Sequence, residues 1–475
     1  MLVAFMLDRT ISVVNNILWG EWKTLIVMLV LAGIWFTVKL GAVQLVHFSH
    51  MFHLMRRSMR SSADGISSFQ ALCTSLSARV GTGNLVGVAI AISLGGSGAI
   101  FWMWVIAFLG MATGFAESLL AQVYKVRNRK DEFRGGPAYY IQQGLNKPWL
   151  AVLFSVCIFM GYGLFFSAFQ ANNIASAIEH SYGVKTQTTG LVVMLLAGVI
   201  VVGGLRSVAR FAEWAVPFMG LAYVLTALFI TLVNIELLPA VLSDIVLSAF
   251  GLQEAGSGAL GAAIKNGIQR GLFSNEAGSG SAPHAAAGAR PEPNHPATQG
   301  YIQMMGVFFD TIVLCTCTAM IILLAQQAGL SGNSDGIQIT QVAMEHHIGS
   351  LGGDFVALAL TLFAFTSVVA NFAYAQSNLR IFKLDNTIGN SAYILVYLAM
   401  VYWGASATLT QVLAAADMAL GLMTVVNLTA LFLLTPTIVS VSNHYRQKFR
   451  DKPGIENFKE SECLIQGTTE SDAWK

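Results

Sequence analysis

Long uncharged runs dominate the chain, and short clusters of charged residues separate them. A membrane-spanning helix needs about 20 consecutive apolar residues. The run between Arg79 and Glu117 is too long for one helix, and Gly95-Gly96-Ser97-Gly98 supplies a turn within it. The pattern predicts eleven transmembrane helices, at about 22–40, 66–94, 98–124, 148–178, 186–204, 213–234, 257–282, 299–328, 352–378, 387–404 and 410–440.

The composition indicates the same class of protein. Hydrophobic residues make up 55% of the 475 residues and charged residues 11%, whereas a soluble domain carries about 25% charged residues. So few charges cannot cover a soluble surface of this size, which excludes a soluble enzyme, a disordered chain and a nucleic-acid-binding protein. The five cysteines have no metal-ligand spacing, and no nucleophile–histidine–acid set is legible. We therefore expect neither an enzyme nor an organic cofactor.

Lysine and arginine residues indicate the orientation. With the amino terminus outside, the cytoplasmic segments hold twenty of the 27, and only Arg9, Lys23 and Lys185 lie outside. Cytoplasmic loops of membrane proteins carry this excess of positive charge. An odd number of helices then places the carboxyl terminus in the cytoplasm. We expect residues 1–440 to form one transmembrane domain and residues 441–475 a short solvated cytoplasmic tail, with no removable signal peptide.

The second predicted span contains residues that disfavour a continuous helix. It reads Ser77-Ala78-Arg79-Val80-Gly81-Thr82-Gly83-Asn84-Leu85-Val86-Gly87, and each glycine costs about 1 kcal/mol against alanine in a helix interior. A break here would free backbone N–H groups for a carboxylate and carbonyl groups for a cation. The alternative is close helix packing through Gly83-x-x-x-Gly87.

The seventh predicted span has the same character. It reads Gly271-Leu272-Phe273-Ser274-Asn275-Glu276-Ala277-Gly278-Ser279-Gly280-Ser281. The two interrupted spans are five helices apart, which is the spacing that two inverted five-helix repeats would give. Paired interrupted spans are the best sequence indication of a secondary-transporter site.

Polar residues inside the other spans need partners, because a charge at the bilayer centre costs roughly 2.5–3.5 kcal/mol. Glu276 is the most central; it either holds a substrate ammonium or forms a structural ion pair with Arg270 or Arg79. Glu117 and Asp310 are expected nearer the cytoplasmic side, in gating or helix pinning.

Two uncharged groups in other spans are also candidates. Gln170 lies among phenylalanines, including Phe166, and suits a small zwitterion; interhelical hydrogen bonding is the alternative. Thr366 and Ser367 are adjacent hydroxyls that suit sodium, unless they bond only to their own helix.

Several longer motifs resemble the alanine or glycine:cation symporter family, and the resemblance runs from about residue 15 to 445. The motifs are Gly81-Thr82-Gly83-Asn84-Leu85-Val86-Gly87-Val88-Ala89, Gly95-Gly96, Gly98-Ala99-Ile100-Phe101-Trp102-Met103-Trp104-Val105, Gly110-Met111-Ala112-Thr113 with Glu117, Gly135-Gly136-Pro137-Ala138-Tyr139-Tyr140, Phe273 to Ala287, and His295-Pro296 with Gln299-Gly300. The resemblance implies an all-α protein whose last ten helices form a LeuT-type fold. The first and sixth helices of this core would be broken. Helix 22–40 would be extra, repeat one would span about 66–234 and repeat two about 257–440.

The resemblance also implies site residues. The substrate would contact Thr82, Gly83, Asn84, Phe166, Gln170, Ser274, Asn275, Gly278 and Asn371. Sodium would be held by carbonyls of Ser77, Val80 and Phe363 and by the hydroxyls of Thr366 and Ser367. The sequence departs from the family pattern at Gln376, where many members carry a glutamate, and at Ser97, where proline is common.

The function implied is sodium-coupled uptake of alanine or glycine, with serine also considered, across a bacterial inner membrane. One rival is a proton-coupled carrier of the same fold, with Glu276 or Glu117 as the titrating group. Another is a membrane sensor or channel that binds an amino acid without coupled transport. A glutamine preference also stays open, given Asn371 and Gln376.

Overall fold

The computed structural model describes residues 2–20, 22–58, 66–127, 133–202, 204–252, 257–330, 334–449, 458–470 and 474. Residue 203, within a predicted span, and residues 450–457, 471–473 and 475, within the predicted tail, lie outside these ranges. The described part is a bundle of helices with two short strand pairs. Ile66–Ser67 pairs in parallel with Ala289–Arg290, and Val126–Arg127 pairs antiparallel with Phe133–Arg134.

The α-helices are numbered in chain order. The first half comprises α1 Leu2–Trp19, α2 Thr24–Lys39, α3 Val43–Val46, α4 Phe48–Arg57, α5 Ser68–Arg79, α6 Val88–Gly95, α7 Gly98–Val123, α8 Pro137–Gly144, α9 Pro148–Met160, α10 Phe166–Tyr182, α11 Thr186–Val201 and α12 Gly204–Val233. The second half comprises α13 Leu238–Ala249, α14 Ser257–Asn275, α15 Ala282–Ala287, α16 Pro296–Val307, α17 Thr316–Gln327, α18 Ile337–Ile348, α19 Ser350–Ser377, α20 Thr387–Ser406, α21 Leu409–Leu433 and α22 Thr435–Lys448.

Three π-helical segments interrupt this α-helical pattern, and a short 3-10 turn lies near the carboxyl end. The π segments are π1 Gly83–Gly87, π2 Gly161–Phe165 and π3 Phe308–Cys315. Each continues directly into the α-helix that follows it, and π2 and π3 also follow an α-helix without a gap. The 3-10 turn is Glu460–Glu462.

Long apolar helices cross the bundle, as the hydrophobic runs predicted. Within the described ranges, seven helices are long and apolar enough to cross a membrane, or up to nine if each of two bent pairs forms one span. The outer faces of α11, α12 and α20 expose large apolar side chains, among them Val199, Trp214 and Leu395. Such faces are stable against lipid rather than water. The chain is therefore a multi-pass membrane protein; the count of eleven stays a prediction.

Several predicted boundaries were wrong. The span predicted at 257–282 ends at Asn275, and the span predicted at 410–440 divides into α21 and α22, with Pro436 in the first turn of α22. Helices α1, α13 and α18 were missed, because each is shorter or more polar than the 20-residue apolar run that served as the criterion.

The described residues near the carboxyl end contact the rest of the protein at several points. Phe458 and Trp474 are buried. The Gln466 carbonyl accepts a hydrogen bond from the Tyr124 hydroxyl at 2.6 Å, and the Thr468 N–H donates to the Gln143 carbonyl at 3.1 Å. The Phe458 ring contacts His295 and His444, and Trp474 contacts Lys125. Residues 459–470 remain partly or fully exposed, and the cytoplasmic tail stays a prediction.

Candidate functional site

The first predicted break is present. Helix α5 ends at Arg79, Val80 is extended, and the axis turns by 51° before the segment Gly83–Gly95 continues. Two side chains accept hydrogen bonds from the N–H groups that would otherwise continue the backbone hydrogen bonding of α5. The Gly81 N–H donates to Asn84 Oδ1 at 3.0 Å, and the Thr82 N–H donates to Gln170 Oε1 at 3.1 Å. In a continuous helix, Gly81 would instead donate to the Ser77 carbonyl, so the break frees that carbonyl.

The freed carbonyls face two hydroxyls of α19. Ser367 Oγ lies 2.9 Å from the Ser77 carbonyl oxygen and 3.4 Å from that of Val80. Thr366 Oγ1 lies 3.4 Å from the Ser77 carbonyl oxygen. Both hydroxyls also approach the Phe363 carbonyl oxygen, at 2.8 Å for Thr366 and 3.1 Å for Ser367. Bonding within a single helix explains the contacts to Phe363 alone, because Ser77 lies in α5 and Val80 directly follows it.

All five oxygens proposed as sodium ligands therefore come together. The side chains of Thr366 and Ser367 are almost completely buried. The five atoms are neutral carbonyl and hydroxyl oxygens at the carboxyl end of α5, where the helix dipole favours a cation. Oxygen ligands suit hard cations, and a set without a carboxylate suits a single positive charge. The residues present fit sodium.

The second break is also present and is wider. Helix α14 ends at Asn275, and helix α15 begins at Ala282. Between them the backbone takes left-handed conformations at Glu276, Gly278 and Gly280, with φ of 56°, 91° and 86°. Glycine adopts such conformations without the penalty that a Cβ brings.

Asp310 joins the two breaks. Its carboxylate accepts hydrogen bonds from Asn84 Nδ2 at 2.8 Å, from Ser274 Oγ at 2.6 Å and from Thr311 Oγ1 at 2.8 Å. It therefore lies level with both breaks, and the expectation of a position nearer the cytoplasmic side was wrong. The structure agrees with its expected role in pinning helices.

The charged partners of Glu276 and Arg270 also differ from expectation. Arg270 forms a buried ion pair with Asp417 of α21, and Gln269 Nε2 donates to the same carboxylate at 3.0 Å. Glu276 accepts from Ser281 Oγ at 2.5 Å. Among the described residues, no ion pair joins Glu276 to Arg270 or Arg79 within 4.0 Å, so the ion-pair interpretation of Glu276 was wrong. Asp417 was missed because it had served only as a boundary between uncharged runs.

The residues predicted to contact the substrate lie around the two breaks, and several already bind other protein groups. The amide nitrogen of Asn84 contacts Asp310, and it also donates to Ser274 Oγ at 3.1 Å. Gly83 packs on Ser274, since a Cβ at Gly83 would lie 3.0 Å from Ser274 Cα. The carbonyl of Gly278 accepts from Asn427 Nδ2 at 2.9 Å.

Aromatic rings form one side of this region. Phe166 stacks on Tyr162 and on Phe273, with ring centroids 4.9 and 5.1 Å apart. Asn371 lies one helical turn beyond Ser367 on α19, and its Nδ2 donates to Ser167 Oγ at 3.4 Å.

Three polar atoms of these predicted residues are buried without a hydrogen-bond partner. They are Thr82 Oγ1, Asn275 Nδ2 and Asn371 Oδ1. A buried polar atom left unpaired costs about 1–3 kcal/mol, which a polar ligand would remove. Such atoms at both breaks and on α19 favour a binding region between these elements.

Comparison with known proteins identifies the kind of molecule. The sequence model described as "Sodium:alanine symporter family" matches residues 4–460. The chain is 45% identical over 438 residues to the uncharacterized transporter YaaJ of Escherichia coli, covering 91% of this chain and 92% of that protein. It is 42% identical over 474 residues to the probable sodium/glutamine symporter GlnT of Bacillus subtilis, covering 98% of both.

A solved structure shows the fold. The crystal structure of MhsT in complex with L-phenylalanine matches with a TM-score of 0.55 at 14% identity, covering 77% of this chain and 89% of that one. At this sequence identity, the match shows a shared fold and nothing about the function. Because MhsT is a LeuT-fold transporter, the predicted LeuT-type fold is confirmed, while its division into two inverted five-helix repeats stays a prediction.

Proposed function

The chain belongs to the sodium:alanine symporter family, a family of transporters and not of enzymes, and from this premise we propose that it imports a small neutral amino acid together with sodium. Alanine or glycine is the proposed substrate. The observation that carries the proposal is the convergence of five uncharged oxygens from Ser77, Val80, Phe363, Thr366 and Ser367 beside the first break.

The same break links sodium to the amino acid. Gly81 lies between the two groups of residues, because a Cβ added there would lie 2.4 Å from Ser367 Oγ and 2.8 Å from Gln170 Oε1. Gln170 in turn holds the N–H of Thr82. A cation that draws the carbonyls of α5 toward α19 would therefore fix the segment that receives the substrate carboxylate. This arrangement gives sodium a direct way to raise affinity for the amino acid.

We propose that transport follows from movement around this site. Sodium would stabilise the state open to the outside, the amino acid would close the outer path, and rocking of the broken helices would open the inner one. The inward sodium gradient and the membrane potential supply the driving force, about 2.3 kcal/mol per charge per 100 mV. The proposed orientation keeps the amino terminus outside and the carboxyl terminus in the cytoplasm of a bacterium.

Uptake of labelled alanine into proteoliposomes tests the proposal. Concentrative uptake is expected under an inward sodium gradient and not under an equal potassium gradient with an imposed pH step. Unlabelled glycine, serine and glutamine, added as competitors, rank the substrates. Uptake driven by the pH step without sodium would overturn the sodium proposal.

Two hydroxyl-deleting variants locate the coupling ion. Thr366→Val and Ser367→Ala each remove one proposed ligand, and a hydrogen bond or dipole contact to a charged group contributes about 1.5–3 kcal/mol. We expect the sodium concentration for half-maximal uptake to rise about 10- to 150-fold. Thr361→Val is the matched control, because the Thr361 hydroxyl bonds only to Ala357 of its own helix at 2.7 Å. Equal sodium dependence of uptake in the unaltered protein and in all three variants would refute the proposed sodium site.

Proton coupling is the second candidate, and the burial of Glu117, Glu276 and Asp310 favours it. These three carboxyl groups accept hydrogen bonds from uncharged groups. A carboxyl group in such surroundings can serve as a proton carrier. Under this alternative, the pH step would drive uptake, and Thr366→Val would leave it unchanged.

A further inference from the structure

Glu117 of α7 faces the second break. Its Oε2 atom accepts a hydrogen bond from the Gly280 N–H at 3.2 Å, and Gly278 lies two residues earlier in the same loop. Both glycines have positive φ, at 91° and 86°. A backbone N–H that such a turn leaves outside the helical hydrogen-bond pattern can bind an anion. In this protein the anion is a side chain of the protein itself.

Asn427 of α21 completes the attachment. Its Nδ2 atom donates at 2.9 Å to Glu117 Oε2 and at 2.9 Å to the Gly278 carbonyl. Its Oδ1 atom accepts from the hydroxyl of Tyr140 in α8. One amide therefore connects the carboxyl group, the broken backbone and a third helix, and all three side chains are buried.

The surroundings leave no room for a side chain at either glycine of this loop. A Cβ at Gly280 would lie 2.6 Å from Pro137 Cγ and 3.0 Å from Asn427 Cγ. At Gly278, a Cβ would lie 3.0 Å from Leu428 Cδ2 and 3.1 Å from Thr113 Cγ2. Close packing from α7, α8 and α21 thus fixes the path of the backbone that Glu117 and Asn427 hold by hydrogen bonds.

The other N–H groups of the loop are satisfied locally. The Glu276 N–H donates to Leu272 at 2.8 Å, the Ala277 N–H to Asn275 Oδ1 at 3.0 Å, and the Ser279 N–H to Glu276 at 3.0 Å. The N–H of Gly280 instead donates to Glu117 of α7. The second break is therefore held from α7 by a carboxyl group, whereas the amide groups of the first break bond to the side-chain amide oxygens of Asn84 and Gln170.

We propose that Glu117 and Asn427 are positioning residues that hold the second break in the shape required for substrate binding. The inference rests on the proposed function, since Ser274 and Asn275 immediately precede this loop and belong to the proposed substrate site. Neither Glu117 nor Asn427 contacts the amino acid. They act through the backbone of residues 276–281.

Asn427→Leu is the main test, because leucine has a similar volume and cannot make any of the three hydrogen bonds. Thr424→Val is the control on the same helix, since the buried Thr424 hydroxyl bonds only to Leu420 at 2.7 Å. We expect Asn427→Leu to raise the KM for alanine at least tenfold. Thermal stabilisation by sodium, measured without amino acid, should stay within twofold in its half-saturating concentration, because the sodium ligands lie at the other break.

Hydrogen exchange gives a readout that needs no transport. Amide exchange at Gly280 should accelerate at least tenfold in Asn427→Leu and stay unchanged in Thr424→Val. Glu117→Gln keeps the shape of the side chain and one acceptor oxygen, and it should accelerate amide exchange to an intermediate degree. This variant also tests the proposal if Asn427→Leu does not fold. Unchanged KM and unchanged exchange in the folded variants would overturn the proposal. If the unaltered protein shows no sodium-driven uptake, the proposed function fails, while accelerated exchange would still support the attachment of the loop.

Discussion

Replacing Gly81 by alanine would insert a methyl group between the proposed sodium site and the proposed substrate site. The new Cβ would lie 2.4 Å from Ser367 Oγ, 2.8 Å from Gln170 Oε1 and 3.1 Å from Gln170 Nε2. Contacts this short force one of the partners to move. Movement of Ser367 separates its hydroxyl from the carbonyls of Ser77 and Val80, whereas movement of Gln170 releases the N–H of Thr82.

The magnitude follows from these contacts. Overpacking of a close-packed interior costs about 1–3 kcal/mol, and here the strain falls on the arrangement that holds the five oxygens together. If that free energy is lost from sodium binding, the half-saturating sodium concentration rises about 5- to 150-fold, at 1.4 kcal/mol per tenfold. The KM for alanine should rise as well, because Gln170 orders the segment after Gly81.

Sodium titration of alanine uptake at equal amounts of protein in the membrane measures this effect. Gly220→Ala is the control: it adds the same methyl group inside α12, where a Cβ would meet nothing within 4 Å. Gly220→Ala should behave like the unaltered protein. Equal sodium dependence of Gly81→Ala and Gly220→Ala would refute the arrangement of Gly81, Ser367 and Gln170 described above.

Two further predictions concern stability. Asp417→Asn should lower the free energy of unfolding by about 3–5 kcal/mol, because it leaves the buried Arg270 guanidinium without its counter-charge. In thermal melts, the double variant Arg270→Met with Asp417→Leu should recover most of this loss, and an Asp417→Asn variant as stable as the unaltered protein would contradict the prediction. The attachment of residues 458–470 should weaken in acid. Hydrogen bonds from Lys448 and His444 lower the pKa of Glu462 to about 2, so its contribution is present above about pH 4.5 and is lost as the pH falls toward 2. His295 contacts His444 at 3.1 Å, and burial lowers the pKa of His295. The folded protein therefore binds fewer protons at His295 than the unfolded protein does, and it loses stability as the pH falls below about 6.5. Hydrogen exchange of residues 458–470, corrected for intrinsic rates, should show lower protection at pH 5.5 than at pH 7.5, and equal protection would contradict the prediction.

The sequence predicted the two breaks because glycines and polar residues occupy positions where the other spans carry apolar residues. Gly81, Gly83 and Asn84 stand where apolar residues would be least costly, and the same holds for Gly278 and Gly280. The predicted sodium ligands also converge, because their pattern along the two helices follows from the fold that the family resemblance implied. The assignment of these residues to sodium and substrate stays a proposal.

Contacts between distant helices could not be derived in the same way. Nothing near Asp310 in the sequence indicates that it bonds to Asn84, which precedes it by 226 residues. The pairing of Arg270 with Asp417 is separated by 147 residues and depends on how α14 meets α21. Asn427 offered a signal, since it is an amide within an apolar helix, but its partners become apparent only when α7, α8 and the second break are brought together.

The three π-helical segments bear on how this chain relates to other members of its family. A π turn bonds residue i to residue i+5 instead of i+4, so it holds one residue more than an α turn that joins the same two ends. The segments π2 and π3, which have an α-helix on both sides, can therefore be viewed as α-helices that accepted a one-residue insertion without displacing either neighbour. Relatives that lack a π turn at Gly161–Phe165 or Phe308–Cys315 should show a single-residue gap there, and alignments that ignore these gaps would misplace every residue up to the next loop.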